Sequence, residues 1–207
     1  MAKINIMSWN ANGLKNRIHE LVACLVCNDI QICLICETHD TVETKYKIRG
    51  YTYYNTVHPS NNARGGTGIF IKSDIKHDEH IQIQANRTQV TSVKVQLDDS
   101  RMITVASIYN PPNQCMTSDD YKTLFQSLGH MFILGGDFNA KHTFFGSRLT
   151  TVKGRELYQA ICDINCQIVS TGNPTHFPTD INKKPDLLDF FVIKNVSSNY
   201  FTIDDCN

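Results

Sequence analysis

The sequence predicts an α/β (α+β) fold in four layers, two mixed β-sheets packed face to face with helices outside. Three observations carry that expectation. Apolar runs of strand length, such as Ile30 to Cys36 and Met131 to Leu134, are too continuous for strands with one wet face and fit strands buried on both sides. A segment with helical spacing precedes the first of these runs and follows an N-terminal strand pattern, which suggests a right-handed βαβ crossover with parallel pairing. The middle of the chain then switches to alternating strands joined by polar turns, the pattern of antiparallel hairpins.

Residues 3–10 read as the first strand, with Ile4 and Ile6 on one face, and the run from Asn10 to Leu14 breaks it. A helix over 16–28 follows, because Ile18, Leu21, Val22 and Leu25 recur at helical spacing. The strand Ile30 to Cys36 delivers Glu37 at its end. Parallel pairing with the first strand would put Glu37 and Asn10 at the same sheet edge. Residues 38–50 are polar and irregular. Tyr51 to Thr56 is a short strand and Pro59 to Gly66 a loop. Thr67 to Lys72, Thr88 to Leu97 and Met102 to Tyr109 are strands, the last two forming a hairpin that turns at 98–100. Pro111 and Pro112 end this section. A helix over Ser118 to Leu128 has Ser118 or Asp119 near its cap. The apolar run at 131–134 then enters Gly135-Gly136-Asp137-Phe138-Asn139-Ala140, where two glycines allow close backbone approach to a ligand. A helix over Gly154 to Asn165 turns Leu157, Ile161 and Ile164 inward. Gln167 to Thr171 and Leu187 to Ile193 are strands, and Tyr200 to Ile203 is expected to start one more.

A chain of 207 residues is expected to form one domain spanning 1–207, and its 41% apolar content suits a globular core. Twenty Lys and Arg balance twenty Asp and Glu, so the global charge names no partner. A protein that grips DNA through many phosphates is usually basic. A nucleic-acid contact here would be local, or a bound metal would supply the missing positive charge. No apolar run approaches the eighteen or so residues of a membrane span, so no membrane partner is expected. The N-terminus enters a strand pattern without a signal-peptide apolar region. The expected location is therefore intracellular, nuclear or cytoplasmic, with reduced thiols. Cys24 with Cys27 and Cys33 with Cys36 have the look of a zinc site. Only five residues separate the pairs, however, one pair on a helix and the other on a strand, so they read as small buried apolar residues.

Several strands end in polar residues that could handle a phosphate and a divalent cation: Asn10, Glu37, Tyr109, Asp137 with Asn139, and Asp189. Positions i and i+2 of a strand face the same way, so Asp137 and Asn139 would share one pocket at the strand's carboxyl end, where open α/β sheets hold ligands. Oxygen ligands without clustered His or Cys select a hard ion such as Mg²⁺. Each residue also has an ordinary reading. Gly, Asp and Asn all form turns, so 135–139 and Asn10 could simply be turns. Glu37 could be a surface charge and Tyr109 an aromatic at a sheet edge. Asp189 is flanked by apolar residues on both sides and needs a partner if buried. His176, in a loop, reads more readily as surface than as a general base.

Taken jointly, these residues resemble the exonuclease–endonuclease–phosphatase superfamily, which includes deoxyribonuclease I and the abasic-site endonucleases. Within it, the chain is most similar to the endonuclease domain of non-LTR (LINE-type, jockey-like) retrotransposons. The likeness rests on Ser8-Trp9-Asn10-Ala11-Asn12-Gly13-Leu14, Ala63-Arg64-Gly65-Gly66-Thr67-Gly68-Ile69, Gly135-Gly136-Asp137-Phe138-Asn139-Ala140-Lys141-His142, Gly154-Arg155 and Gly172-Asn173-Pro174-Thr175. It implies a deoxyribonuclease I-like fold and a Mg²⁺-dependent DNA endonuclease, with Mn²⁺ able to substitute. Such an enzyme nicks one strand of double-stranded DNA and leaves a 3′-hydroxyl, from which a reverse transcriptase domain farther along the polypeptide primes synthesis. It implies Glu37 as a metal ligand with Asn10 beside it, Asp137 aligning or deprotonating the attacking water, and Asn139 and Tyr109 holding the scissile phosphate. Asn12, Arg64, Lys141 and Thr175 become candidates for DNA contact.

One feature departs from the family. Its pattern closes with Ser-Asp-His on a last strand, the His paired by the aspartate that matches Asp189, and no His follows Asp189 here. The expectation is a domain truncated before that strand. Two alternatives accompany the nicking endonuclease: an abasic-site or other phosphodiesterase of the same superfamily, and a catalytically dead DNA-binding remnant.

Overall fold

The computed structural model describes residues 3–85, 88–98, 100–180, 182, 184–197, 199 and 201–205. In chain order the elements are β1 (Ile6–Asn10), α1 (Ile18–Cys27), β2 (Ile32–Cys36), β3 (Tyr51–Thr56), β4 (Thr67–Lys72), β5 (His77–Ala85), β6 (Thr88–Gln96) and β7 (Met102–Tyr109). They continue with α2 (Ser118–Ser127), β8 (Phe132–Asp137), α3 (Val152–Asp163), β9 (Gln167–Val169) and β10 (Asp189–Lys194).

The strands form two mixed sheets. The first has the order β1-β2-β4-β3 and the second β5-β6-β7-β8-β10-β9. β1 and β2 pair in parallel across the α1 crossover, and β7 and β8 pair in parallel across α2; the remaining pairs are antiparallel. Alternation along each strand divides the core into layers. Ile32 and Leu34 of β2 meet Ile69, Ile71, Val93, Val95, Ile103 and Val105 between the sheets. Cys33 and Ile35, pointing the other way, pack with Leu21 and Leu25 of α1. On the far side, Ala106, Ile108, Phe132 and Leu134 pack beneath Tyr121, Phe125, Leu157 and Ile161 of α2 and α3. Cys36 faces the second sheet, so Cys33 and Cys36 lie on opposite faces of β2.

The departures from the expected elements have local causes. β5 is an additional strand at the edge of the second sheet. Its first four residues, His77-Asp78-Glu79-His80, are polar and the strand is bulged between Glu79 and Gln82, so the apolar alternation is confined to Ile81 and Ile83, too short to announce a strand. A 3-10 turn at Leu14–Asn16 takes up the chain before α1. The cap of α2 is Thr117, whose side chain exchanges hydrogen bonds with Asp120 in a capping box. α3 starts at Val152 because Thr151 Oγ1 accepts from Gly154 N at 3.1 Å. β10 begins at Asp189, two residues later than expected. Tyr200 and Asp99 lie outside the described residues, and 201–203 form no strand.

Candidate active site

The parallel register sets Asn10 opposite Cys36, so Glu37 follows at the same edge as Asn10. Glu37 adopts a left-handed backbone (φ 50°), which swings its side chain out of the strand line. Gly13 N donates to Glu37 O at 2.8 Å and Leu14 N to Thr38 O at 3.0 Å, fastening the two strand exits together. Asn10 Nδ2 donates to Glu37 Oε1 at 2.9 Å and reaches Asp137 Oδ2 at 3.4 Å. One carboxamide thus joins a carboxylate of each sheet.

Asp137 closes β8 and stands in register with Tyr109 on one side and Asp189 on the other. Register partners share a face, so the three side chains rise together. Gly136 just before it has φ 142°, and a Cβ there would overlap the Ile108 carbonyl oxygen; the approach of β8 to β7 requires glycine. Beyond Asp137 the strand stops. Asn139 turns left-handed (φ 45°) and its N–H donates to Asp137 Oδ1 at 2.8 Å. The turn and the pocket are therefore one feature, because the aspartate that faces the site also caps its own loop.

Burial drives the Asp137 carboxyl well above the ordinary carboxylate range, with the charges of Asp189 and Glu37 adding to the rise and the Asn139 N–H and Lys153 opposing it. Burial also raises Asp189, Glu37 contributing, against a bond from Thr175 and the attraction of His176. Burial, then Glu37 and Asp137, raise the Tyr109 phenol, so it stays a proton donor. His39 Nε2 lies 3.6 Å from Glu37 Oε2.

Asn10, Glu37, Tyr109, Asp137, Asn139 and Asp189 thus meet at one end of the two sheets. The surrounding candidates divide. Asn12 is exposed and its N–H donates to Asn10 Oδ1 at 3.1 Å. Arg64 is exposed next to Gly65, which lies against the Tyr109 ring. Thr175 Oγ1 accepts from the N–H groups of Leu188 and Asp189, both at 3.0 Å, and so fixes the start of β10. Lys141 is engaged within the protein, its Nζ 2.9 Å from buried Asp186 Oδ2. His176 is exposed and forms a backbone bridge with Asp186.

Lys153 and Asn110 are additions that no sequence motif indicates. Lys153 is only 7% exposed, and its Nζ donates to Asn110 O (3.2 Å) and Pro111 O (2.7 Å). A lysine in the first turn of an amphipathic helix looks like surface in the sequence, and only the docking of α3 buries it.

Among the described residues no three His, Cys, Asp or Glu side chains gather into a ready-made metal cluster. A cation here would rest on Glu37 with amide and water oxygens, the sparse coordination that Mg²⁺ accepts. The fit is chemical: the donors are oxygens, and Glu37, Asp137 and Asp189 repel one another where a cation would offset them.

A family model described as endonuclease-reverse transcriptase matches residues 103–205. The RNA-directed DNA polymerase from mobile element jockey of Drosophila melanogaster is 37% identical over 189 residues, covering 91% of this chain and 20% of that protein. Its Drosophila funebris counterpart is 32% identical over 190 residues, covering 92% and 21%. The chain thus spans about a fifth of the length of the curated relatives it matches. The solved endonuclease domain of TRAS1, a telomere-specific non-LTR retrotransposon, superposes with a TM-score of 0.76 at 19% identity, covering 93% of this chain and 86% of that one. AP endonuclease LMAP from Leishmania major gives 0.75 at 15% identity, covering 93% and 79%. The last two carry the fold, and the sequence relatives carry the lineage. By its sequence relatives and the matching family model, the chain belongs to the endonuclease-type domains of jockey-like non-LTR retrotransposons, within the exonuclease–endonuclease–phosphatase superfamily.

Proposed function

We propose that this domain is a Mg²⁺-dependent DNA endonuclease that nicks one strand of double-stranded DNA and leaves a 3′-hydroxyl. In the longer polypeptide, a C-terminal reverse transcriptase domain would extend that end. The observation that carries the reading is the Asn10 carboxamide spanning Glu37 and Asp137, with Tyr109 and Asp189 in register beside it.

A phosphodiester is anionic and repels nucleophiles. Mg²⁺, or Mn²⁺ in its place, supplies charge neutralisation and polarises a phosphate oxygen when bound, with Glu37 and Asn10 holding it. The raised proton affinity of Asp137 suits a base that takes a proton from the attacking water near neutral pH. The Asn139 backbone N–H aims that carboxylate. Tyr109, kept protonated, and the Asn139 side chain donate to the non-bridging phosphate oxygens. Asn12, Arg64, Thr175 and Lys141 flank this centre as DNA contacts, Lys141 with its charge partly satisfied by Asp186.

Supercoiled plasmid tests the reading. Wild-type protein with Mg²⁺ should convert it to the open circle, EDTA should stop the conversion, and a DNA polymerase should extend the nicks directly. Asp137→Ala should abolish nicking with an unchanged circular-dichroism spectrum. Cleavage only of plasmid carrying abasic sites would favour the abasic-site reading. Folded protein that binds plasmid without nicking it, in Mg²⁺ or Mn²⁺, would make it a DNA-binding remnant.

A further inference from the structure

The N-terminus of α3 is bolted to the segment that follows Asp137. Thr151 N donates to Lys141 O at 2.9 Å. At Gly154 any side chain would run into that same Lys141 carbonyl, so helix and loop are in direct backbone contact. From the first turn of this docked helix, Lys153 reaches the other way, to the carbonyls of Asn110 and Pro111. Those two residues leave β7 immediately after Tyr109. Asn110 is itself fully buried, its N–H on Asp137 O at 2.9 Å and its Nδ2 on Tyr121 Oη at 2.7 Å.

This is a costly place for an ammonium. Burying a charge without a counter-ion is unfavourable, and a cation near a helix N-terminus opposes the helix dipole. Among the described residues no carboxylate lies within ion-pair distance of Lys153 Nζ. Burial lowers its pKa from the ordinary lysine range to about 8, and the charge of Asp137 pulls in the opposite direction. The side chain is therefore a cation behind the carboxylate, tied to the loop that carries the phenol.

We infer that Lys153 is a positioning residue for phosphodiester cleavage: its buried ammonium clamps the Asn110–Pro111 main chain against α3, fixing Tyr109 relative to Asp137. The clamp adds to the β7–β8 pairing, the Asn110 N–H bond to Asp137 O and the Ser118 N–H bond to Glu156 Oε2 that also tie the segment after β7 to its surroundings. Lys153 touches neither the phosphate nor the water; it acts through Tyr109 and through the field at Asp137. The inference rests on the nuclease reading above.

The test is steady-state plasmid nicking by wild type, Lys153→Met, Lys153→Gln, Tyr109→Phe and the double variant Tyr109→Phe/Lys153→Met. Lys153→Met should lower kcat on the order of 10²-fold, the scale of a misplaced reacting group. The KM for plasmid should stay unchanged, because the side chain does not reach DNA. Lys153→Gln keeps one donor for the carbonyls and should recover part of the loss; it also replaces the Met variant should that one fail to fold. The double variant should be no slower than the slower single one, since both act through one group. A folded Lys153→Met or Lys153→Gln with wild-type kcat overturns the assignment, as does a loss confined to KM or losses that multiply with Tyr109→Phe. Wild-type protein that nicks no plasmid takes the nuclease reading and this inference down together, whereas an active wild type with unaffected Lys153 variants sinks the inference alone.

Discussion

Asp189 stands directly opposite Asp137 across the antiparallel pair β10 and β8, so two acids share one buried strand end. Both carboxyls are held above the ordinary aspartate value, by burial first and then by neighbouring carboxylates. In metal-free protein the folded pair keeps protons that an unfolded chain has already released. Stability must therefore fall as pH rises from the ordinary aspartate value of 3.8 through the raised folded values. Asp189→Asn keeps an amide oxygen for Thr175 and removes one of the charges. In EDTA it should melt higher than wild type at pH 7.5, with the difference shrinking toward pH 4. Equal melting temperatures at pH 7.5 would show that the pair carries no such penalty.

A divalent ion that relieves this repulsion should stabilise the fold by mass action. At a free Mg²⁺ concentration of ten times Kd the gain is about 1.4 kcal/mol, or roughly 3–6 °C for a domain of this size. Glu37→Gln retains the acceptor that Asn10 uses but loses the charge. Its melting temperature should not respond to Mg²⁺ beyond the response to NaCl of equal ionic strength. A full Mg²⁺ shift in Glu37→Gln would move the ion to other ligands.

Much of this arrangement was legible because strand ends announce themselves. Tyr51 to Thr56, Thr67 to Lys72 and Met102 to Tyr109 are bounded in the sequence where the structure bounds them, since β-branched and aromatic runs stop there at turn formers. The shared edge of Asn10 and Glu37 followed from one crossover rule. What the sequence concealed depends on tertiary docking. β5 opens on four polar residues and alternates only at Ile81 and Ile83, because it is a bulged edge strand paired on one side with β6. Lys141 has the appearance of a free cation until Asp186, forty-odd positions away, folds back onto it. Lys153 is hidden for the same reason, its acceptors lying on a different loop.

The two glycines before Asp137 differ in what they tolerate. A Cβ at Gly135 would press on the Phe191 ring and Leu34, which are side chains that can shift. At Gly136 it would meet the Ile108 carbonyl oxygen and the Cys36 sulfur on a backbone at φ 142°. Gly136→Ala should therefore destabilise by about 3 kcal/mol or more, the sum of backbone strain and overpacking. Gly135→Ala should lose less. Urea unfolding of both variants decides it, and a Gly136→Ala midpoint near wild type would reject the close approach of β8 to β7.

Asp186 holds the loop beyond the site from beneath. Its side chain is 1% exposed and lies 2.9 Å from Lys141 Nζ. Its Oδ1 accepts from the N–H groups of Arg148 (3.2 Å) and Leu187 (3.1 Å). Burial alone would raise this carboxyl, but the Lys141 bond and those N–H groups outweigh it and leave it below the ordinary aspartate value. A lowered carboxylate contributes stability that is present above its unfolded value of 3.8 and is lost as pH falls through the folded one. Asp186→Ala strands the buried Leu187 N–H, the part-buried Arg148 N–H and the Lys141 ammonium, a loss of about 3 kcal/mol at pH 7. Lys141→Met should cost less, because the Arg148 guanidinium, 3.7 Å from Oδ2, and the two N–H groups remain on the carboxylate. Urea denaturation of wild type and Asp186→Ala at pH 7 and again below pH 3 separates the cases. The gap should be wide at pH 7 and narrow in acid, where wild type has lost the same charge. A gap that stays constant with pH would mean that Asp186 acts through packing alone, and Lys141 would then regain its standing as a free cation at the edge of the site.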